Sequence, residues 1–478
     1  MWSDGQATGK LAKHSSADQQ GLEQTDRPTD QRHFQRNTSK MPSTVPTATA
    51  VAALFLGTLE LVSAFSAWSD VEARVSPHSP QDEAPVSIDS VLDTSTPSFS
   101  STKPTLFRER HGWCPYSERV WLTLEYGGIE YDEIRIDNTG GGQPSYFSGQ
   151  TPQTRWPDGK TQGESMDLVY ALDQKYNLGL KSDDEYVREC VREFSNIFPR
   201  ARPSSRAAYL FQYNGEPLSR QTFEQTLQKA NELLGKTDGN FFCGDDFTAA
   251  DIAWAPFLER YRFQLPCLHE NLYPDDVFSY FHLSDWYTAM ELLPAYACRV
   301  QGDAASWRKV LNMAGFGNAG VPAELNGNID TLLQTEDRLA REATRNTAKV
   351  MWKRYREGGR DYLADTPSKE VALTIVRNRE AIVADALKQT GRGNKHLADL
   401  GLDEASIIDS ALLELAEALA NDDLDKEFDE KSIKFESDSA AAAMARFLDD
   451  RICVPRDMGA IPAAYLKVLA NTKKADDE

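Results

Sequence analysis

Residues 105 to 128 hold the pattern that most restricts the fold of this chain. Thr105 to Arg110 reads as a short strand and His111-Gly112-Trp113-Cys114 as a loop. Pro115 then opens a run in which Tyr116, Val120 and Leu124 recur at helical spacing, until Gly127-Gly128 stops it. Proline suits a first helical position because it has no N–H to lose there. The order strand, loop, cysteine, helix places the Cys114 sulfur at a helix N-terminus, where unpaired N–H groups and the macrodipole favour negative charge. Cysteines so placed have pKa values lowered to roughly 3.5 to 7.5, and the thiolate is the nucleophile. Cys114 is therefore the candidate catalytic residue. Ser117 stands where a dithiol oxidoreductase would carry its second cysteine, and a hydroxyl cannot form a disulfide. A mixed disulfide on Cys114 must then be resolved from outside, most simply by a second small thiol.

The rest of the chain supplies a setting for that thiol. Tyr131 to Asp137 and Gln153 to Trp156 read as strands, and Pro157-Asp158-Gly159-Lys160 as a turn into a further short strand. A helix from Ser165 to Tyr176 follows, with Leu168, Leu172 and Tyr176 on one stripe. This is the order of a small α/β layer closed by an antiparallel hairpin. Beyond Leu180 the pattern turns helical. Val187, Val191, Phe194 and Phe198 share one face, and Phe223, Leu227, Ala230 and Leu234 another, so a packed all-α domain is expected. Thr248 caps the next helix and Asp251 reaches back to it, which we read as architecture rather than catalysis. Asn328 to Glu478 adds amphipathic helices at 370–389, 406–420 and 441–450 with no clear Pro/Gly/Ser linker ahead of them. They are expected to fold against the helical domain and to shape access to Cys114. The segments expected are 1–104, 105–180, 181–320 and 321–478.

Charge and cysteine spacing narrow the chemistry. The 478 residues carry a net charge of -21, a field that would repel a nucleic-acid backbone. Six cysteines lie apart with no CxxC pair, which suggests neither a zinc site nor a disulfide framework and fits a reducing compartment. Cys190, Cys243, Cys267, Cys298 and Cys453 are expected as small buried hydrophobes. The head, 1–104, is read as a targeting or disordered segment. Ala48 to Leu59 is an apolar stretch of signal-peptide length, too short to span a bilayer, and Val62-Ser63-Ala64 suits cleavage after it. Ser63-Ala64-Phe65-Ser66 and the Ser/Thr/Pro-rich stretch behind it resemble a bipartite plastid address. Asp70, Glu72, Asp82, Glu83, Asp89 and Asp93 are more acidic than such an address usually is. Secretion, or a cytoplasmic protein with a disordered head, is the alternative.

Residues 105 to about 300 resemble a glutathione transferase, and Trp113-Cys114-Pro115-Tyr116-Ser117 resembles its cysteine-type classes, omega and dehydroascorbate reductase, with their plastid relatives. Thr151-Pro152 falls at the place of that family's cis-proline, and Glu164-Ser165 at its acid-serine pair for the γ-glutamyl end. The resemblance implies an α/β plus all-α fold, with a thioredoxin-like domain, a helical transferase domain and an extra helical region behind them. It also implies a glutathione site made of Thr151, Pro152, Glu164 and Ser165 around Cys114. Glutathione would be cosubstrate, with no cofactor, no metal and no stable membrane insertion; a homodimer is compatible with it. The expected activity is a glutathione-dependent thiol transferase or reductase acting on an unnamed electrophile or disulfide. A conjugating transferase and a non-catalytic binding protein of the same fold are the alternatives. One departure is the loop from Asp137 to Thr151, where Gly140-Gly141-Gly142 replaces the usual short helix and basic residue. Glu118 and Arg119 are expected to face solvent, though Arg119 lies near enough to add positive potential. His111 could tune the thiol but reads as an exposed loop residue. Tyr209, Phe211 and Tyr213 either line an acceptor pocket between the domains or pack in the core.

Overall fold

A computed structural model describes residues 67–77, 86–91, 93, 95–138, 143–199, 209–212, 216–311, 348–360, 362–397, 404–421 and 439–470. The apolar stretch at Ala48 to Leu59, the Val62-Ser63-Ala64 site, Gly140 to Gly142 and Tyr213 lie outside them.

Five strands make one sheet: β1 (Ser87–Asp89), β2 (Thr105–Glu109), β3 (Asp132–Ile136), β4 (Gln153–Arg155) and β5 (Thr161–Gln162), in the order β1-β3-β2-β4-β5. β1, β3 and β2 run parallel, while β4 returns antiparallel to β2 with Phe107 opposite Gln153. β4 and β5 form the expected hairpin. Helix α1 spans residues 67–75, α2 is Pro115–Tyr126 and α3 is Ser165–Tyr176. The helical half follows as α4 (Glu185–Ile197), α5 (Arg220–Leu234), α6 (Ala249–Leu268), α7 (Phe281–Glu291), a π-helical turn at Tyr296–Val300 and α8 (Ala304–Leu311). The extension holds α9 (348–357), α10 (Pro367–Thr390), α11 (Ala405–Ala420), α12 (Ala440–Arg451) and α13 (Ala460–Ala470).

Two large hydrophobic cores organise the helices, and a smaller cluster of Phe107, Ile134, Ile136 and Phe147 lies on the sheet. The first joins one face of α2 and α3 to α4 through α8, with Trp121, Leu168, Phe194, Trp254, Phe257, Trp286 and Trp307 at its centre. The second joins α9 through α13 to α1 and to part of the π-helical turn. The Thr248 to Asp251 capping box forms as expected, and Asp251 also accepts from Phe242 N at 3.1 Å and Trp286 Nε1 at 3.0 Å. Burial lifts the Asp251 carboxyl to about 6 against those donors.

The head departs from its expected character. Trp68, Val71 and Val75 of α1 are buried in the second core, and Trp68 Nε1 donates to Asp409 Oδ2 at 3.1 Å. β1 extends the sheet at its outer edge, with Arg110 Nε on Asp89 Oδ2 at 2.7 Å. From residue 67 on, the described parts of the head therefore belong to the fold. Asp89, one of the acidic residues that sat badly with a transit peptide, is one half of an ion pair. Among the described residues no helix is long and apolar enough to cross a membrane.

Candidate functional site

Cys114 is the N-cap of α2, in extended conformation, with Pro115 at the first helical position. Its residue is partly exposed and its sulfur is a free thiol. The loop that delivers it is folded around one carboxylate. Glu109, at the end of β2 and fully buried, accepts from the backbone N–H groups of His111 at 2.9 Å and Trp113 at 2.8 Å. It also holds the His111 ring nitrogen Nδ1 at 2.7 Å, and that ring stacks on Trp113 at 4.4 Å between centroids. His111 is thus a part of the loop's framework, half buried rather than exposed. From the other side Arg260 of α6 donates to Trp113 O at 3.1 Å and to Glu118 Oε2 at 2.7 Å. Ser117 is buried, and its hydroxyl takes the Glu109 N–H at 3.4 Å.

The Thr151–Pro152 peptide bond is cis, as the resemblance implies. Pro152 directly precedes β4, which pairs with β2, and β2 leads into the Cys114 loop, so the two stand at the same end of adjacent strands. Asn138 Nδ2 donates to Thr151 Oγ1 at 2.7 Å, tying the loop after β3 to this edge. Glu164 is exposed and sits ahead of α3 with φ of 62°, a left-handed setting in which a non-glycine residue costs of order 1–3 kcal/mol. Ser165 opens α3 with a buried side chain. The N-cap position belongs to Glu164, so Ser165 is no cap, and its hydroxyl instead accepts from Arg119 Nη1 at 3.4 Å.

Residues 113–175 match the family model "Glutathione S-transferase, N-terminal domain" and residues 200–289 the model "Glutathione S-transferase, C-terminal domain". Residues 113–175 and 200–289 thus carry the two domains of the glutathione S-transferase superfamily. Among its relatives, "Glutathione S-transferase L3" of Arabidopsis thaliana is 27% identical over 154 residues, covering 31% of this chain and 63% of the relative. "Protein IN2-1 homolog B" of Oryza sativa subsp. indica is 29% identical over 159 residues, 31% of this chain and 62% of the relative. The chain thus spans just under two thirds of the length of these curated relatives. Among solved structures, glutathione transferase Omega 3C from Trametes versicolor is 20% identical, with 42% of this chain and 89% of that one covered and a TM-score of 0.32.

Within this transferase fold two charged residues sit where the sequence did not place them. Glu118 and Arg119 are buried, not solvent-facing. Arg119 donates through Nε and Nη2 to Ala253 O at 3.0 and 2.6 Å, and its guanidinium lies among the rings of Tyr116, Phe194 and Phe257. A fixed positive charge so close to Ser165 suits a carboxylate ligand at the start of α3. Burial pushes the Glu118 carboxyl well up, Arg260 pulls it down, and the neighbouring Glu259 adds to the rise. The signal for both residues was that α2 has no polar stripe: Val120, Trp121, Leu122 and Leu124 surround its charges, so a charge on this helix must find a partner inside.

Tyr209 and Phe211 are buried in the first core. The Tyr209 ring meets Phe257 edge-on at 5.0 Å, and Phe257 meets Tyr116 in the same manner at 5.7 Å. Its hydroxyl has no hydrogen-bond partner among the described residues, while Cys114 and Tyr116 lie within its electrostatic reach. All six cysteines are free thiols, and Cys190, Cys267, Cys298 and Cys453 are buried. Cys243 is only partly so; it neighbours Cys190, and the coupling of the two thiols lowers Cys190 and raises Cys243. No group of three or more metal-binding side chains occurs among the described residues.

Proposed function

We propose that the protein is a glutathione-dependent thiol transferase or reductase with Cys114 as its nucleophile. The observation that carries this reading is a thiol at the N-cap of α2 standing at the same sheet end as the cis Thr151–Pro152 bond, with a buried, backbone-bonded Ser117 in place of a second thiol. The peptide groups flanking Pro152 pair with the cysteinyl part of glutathione. Glu164, Ser165 and the first N–H groups of α3 take its γ-glutamyl end, with Arg119 behind them. The Cys114 thiolate attacks the glutathione sulfur of a mixed disulfide, forming a new S–S bond while the acceptor leaves as its thiolate. A second glutathione thiolate then attacks the same glutathione sulfur, releasing oxidised glutathione and restoring the Cys114 thiolate. Tyr116, exposed at the start of α2 and backed by Phe257, offers its ring to the acceptor.

Delivery to a plastid remains part of this reading, on Ala48 to Leu59 and Ser63-Ala64-Phe65-Ser66. A cleavage that leaves the fold intact falls ahead of residue 67, because α1 is core.

Cys114→Ser is expected to abolish glutathione-dependent reduction of a mixed-disulfide substrate. It should also prevent the one-glutathione gain in intact mass that follows treatment with oxidised glutathione, while the circular dichroism spectrum stays unchanged. A variant that still reduces the substrate refutes the assignment.

A further inference from the structure

The loop behind α12, residues 452–459, belongs to the extension, yet it packs on the loop that delivers Cys114. Gly112, two residues before the nucleophile, has φ of +72°, and a Cβ there would lie 3.3 Å from Pro455 Cγ and 3.7 Å from Arg456 N. Trp113 lies near enough to the Cys453 thiol to oppose the upward push that burial gives it, and Cys453 packs in the first core although it follows the last turn of α12.

The segment is fixed from behind. Cys453 N donates to Asp457 Oδ2 and Val454 N to Ser306 Oγ, both at 2.8 Å. Arg456 binds the Asp457 carboxylate through Nε at 2.9 Å and Nη2 at 2.8 Å. At Gly459 a Cβ would fall 1.5 Å from Cys298 O, so only glycine lets the chain pass the π-helical turn there. Trp113 is therefore held on its N–H by Glu109, on its carbonyl by Arg260 and on one ring face by His111, with Cys453 packed beside it. Three of these partners come from the transferase fold and the fourth from the extension.

We propose that Cys453 and Pro455 are positioning residues for Cys114: the extension supplies the outer half of the clamp on the nucleophile's loop and thereby sets the reactivity of the sulfur. A left-handed glycine beside the nucleophile gives this loop a pivot that the transferase fold grips mainly at Trp113. Pro455 closes the open side of that pivot. Misplacement by about 1 Å can cost 10²-fold in rate, so a contact that never touches the sulfur can still govern it. The proposal rests on Cys114 as the nucleophile, but alkylation of that residue can be followed whether or not the activity assignment holds.

The test uses the full chain. The rate at which iodoacetamide labels Cys114 is read by peptide mass spectrometry, beside kcat, KM for glutathione and the melting temperature. Cys453→Ala and Pro455→Ala are expected to change the labelling rate and lower kcat by about tenfold, with KM for glutathione within about twofold. Cys453→Ser, which keeps a polar side chain of similar size beside Trp113, should recover most of the loss. Labelling rate and kcat that stay at the parent values in both alanine variants, with only the melting temperature lowered, would make the loop mere filler and overturn the proposal. If Cys453→Ala fails to fold, Pro455→Ala decides between the same two outcomes. Failure of Cys114→Ser to abolish activity would instead count against the proposed function and leave the labelling result standing.

Discussion

The core beside Cys114 is filled with rings and pinned by charge, whereas the core of the extension is filled with alanine and leucine. In the first, Phe194, Phe198, Trp254, Phe257 and Tyr261 form a chain of tilted and edge-on contacts with centroids 4.5 to 5.6 Å apart. Arg260, with no exposed surface, crosses it from α6 to α2 to reach Glu118 and Trp113 O. In the second, Ala372, Ala411, Ala416, Ala441, Ala443 and Ala463 let the helices approach, and Leu412, Leu415, Leu419, Leu466 and Leu469 fill the space between them. Between its own helices the pair Arg379 with Asp409 lies at the margin, with Arg379 31% exposed, while a buried pair, Arg360 with Glu125 of α2, stands where the extension meets the transferase half. Rings and a buried charge fix direction as well as distance, because edge-on contacts and charged hydrogen bonds are angular. Small aliphatic residues fix distance only. The region that must aim a sulfur is built mainly from directional parts, and the region that braces it mainly from aliphatic ones.

The comparison predicts unequal costs for breaking the two ion pairs. Arg260→Met leaves the buried Glu118 carboxyl unpaired, removes a favourable charge from beside Glu259 and frees the Trp113 carbonyl, so it should destabilise the protein by about 3 to 5 kcal/mol in denaturant unfolding. Arg379→Met should cost at most about 1 kcal/mol, since water screens a pair that open. Equal losses would show that the second core is pinned by charge as the first is.

The sheet offers a pH test of the same idea. Burial would raise the Glu133 carboxyl, but Arg108, with Nε and Nη2 on it at 2.7 and 3.0 Å, and Arg135 outweigh that and hold it down to about 2, against 4.5. A carboxyl depressed in the folded state stabilises the protein fully above its unfolded value, and that contribution is lost as pH falls through the folded value. Thermal stability should therefore drop between about pH 4.5 and 2, by roughly 3 kcal/mol from this group. In Glu133→Gln that part of the drop should vanish. A variant whose acid limb matches the parent's would assign the loss to other carboxyls.

The smallest structural effect is expected at Ser165. Ser165→Ala should weaken glutathione binding by about 1.5 to 3 kcal/mol, the range for a hydrogen bond to a charged group. Stability should change by less than about 1 kcal/mol, because the hydroxyl caps no helix and takes only a long contact from Arg119. Calorimetric titration beside a thermal melt separates the two. A lowered melting temperature with unchanged affinity would make Ser165 a structural residue.

What could be read in the sequence depended on how local each cause was. The α3 boundaries follow from the Leu168, Leu172 and Tyr176 stripe, and Cys114, Pro152 and Ser165 sit at the helix starts and strand edge that neighbouring residues specify. The burial of Glu118 and Arg119 could not be read from neighbours, because their partners Arg260 and Ala253 lie more than a hundred residues on. β1 is three residues with no periodicity of its own, and its pairing with β3 was invisible. In α1, two turns holding Trp68, Val71 and Val75 look like any short apolar scatter until α10 and α11 supply Arg379 and Asp409 around Trp68. The extension's helices were legible from their stripes; its contact with Gly112 and Trp113 was not.

The position of α1 also sets an order of assembly. A chain emerging from the ribosome can close the first core once α8 is out, since nearly all of its members lie between Leu106 and Leu311. The second core takes residues from Trp68 and from Ala470, so its earliest-made helix must wait for nearly its last. During that wait Trp68, Val71 and Val75 stand open, and the apolar face of α1 is the one longest exposed to chaperones and to mispairing.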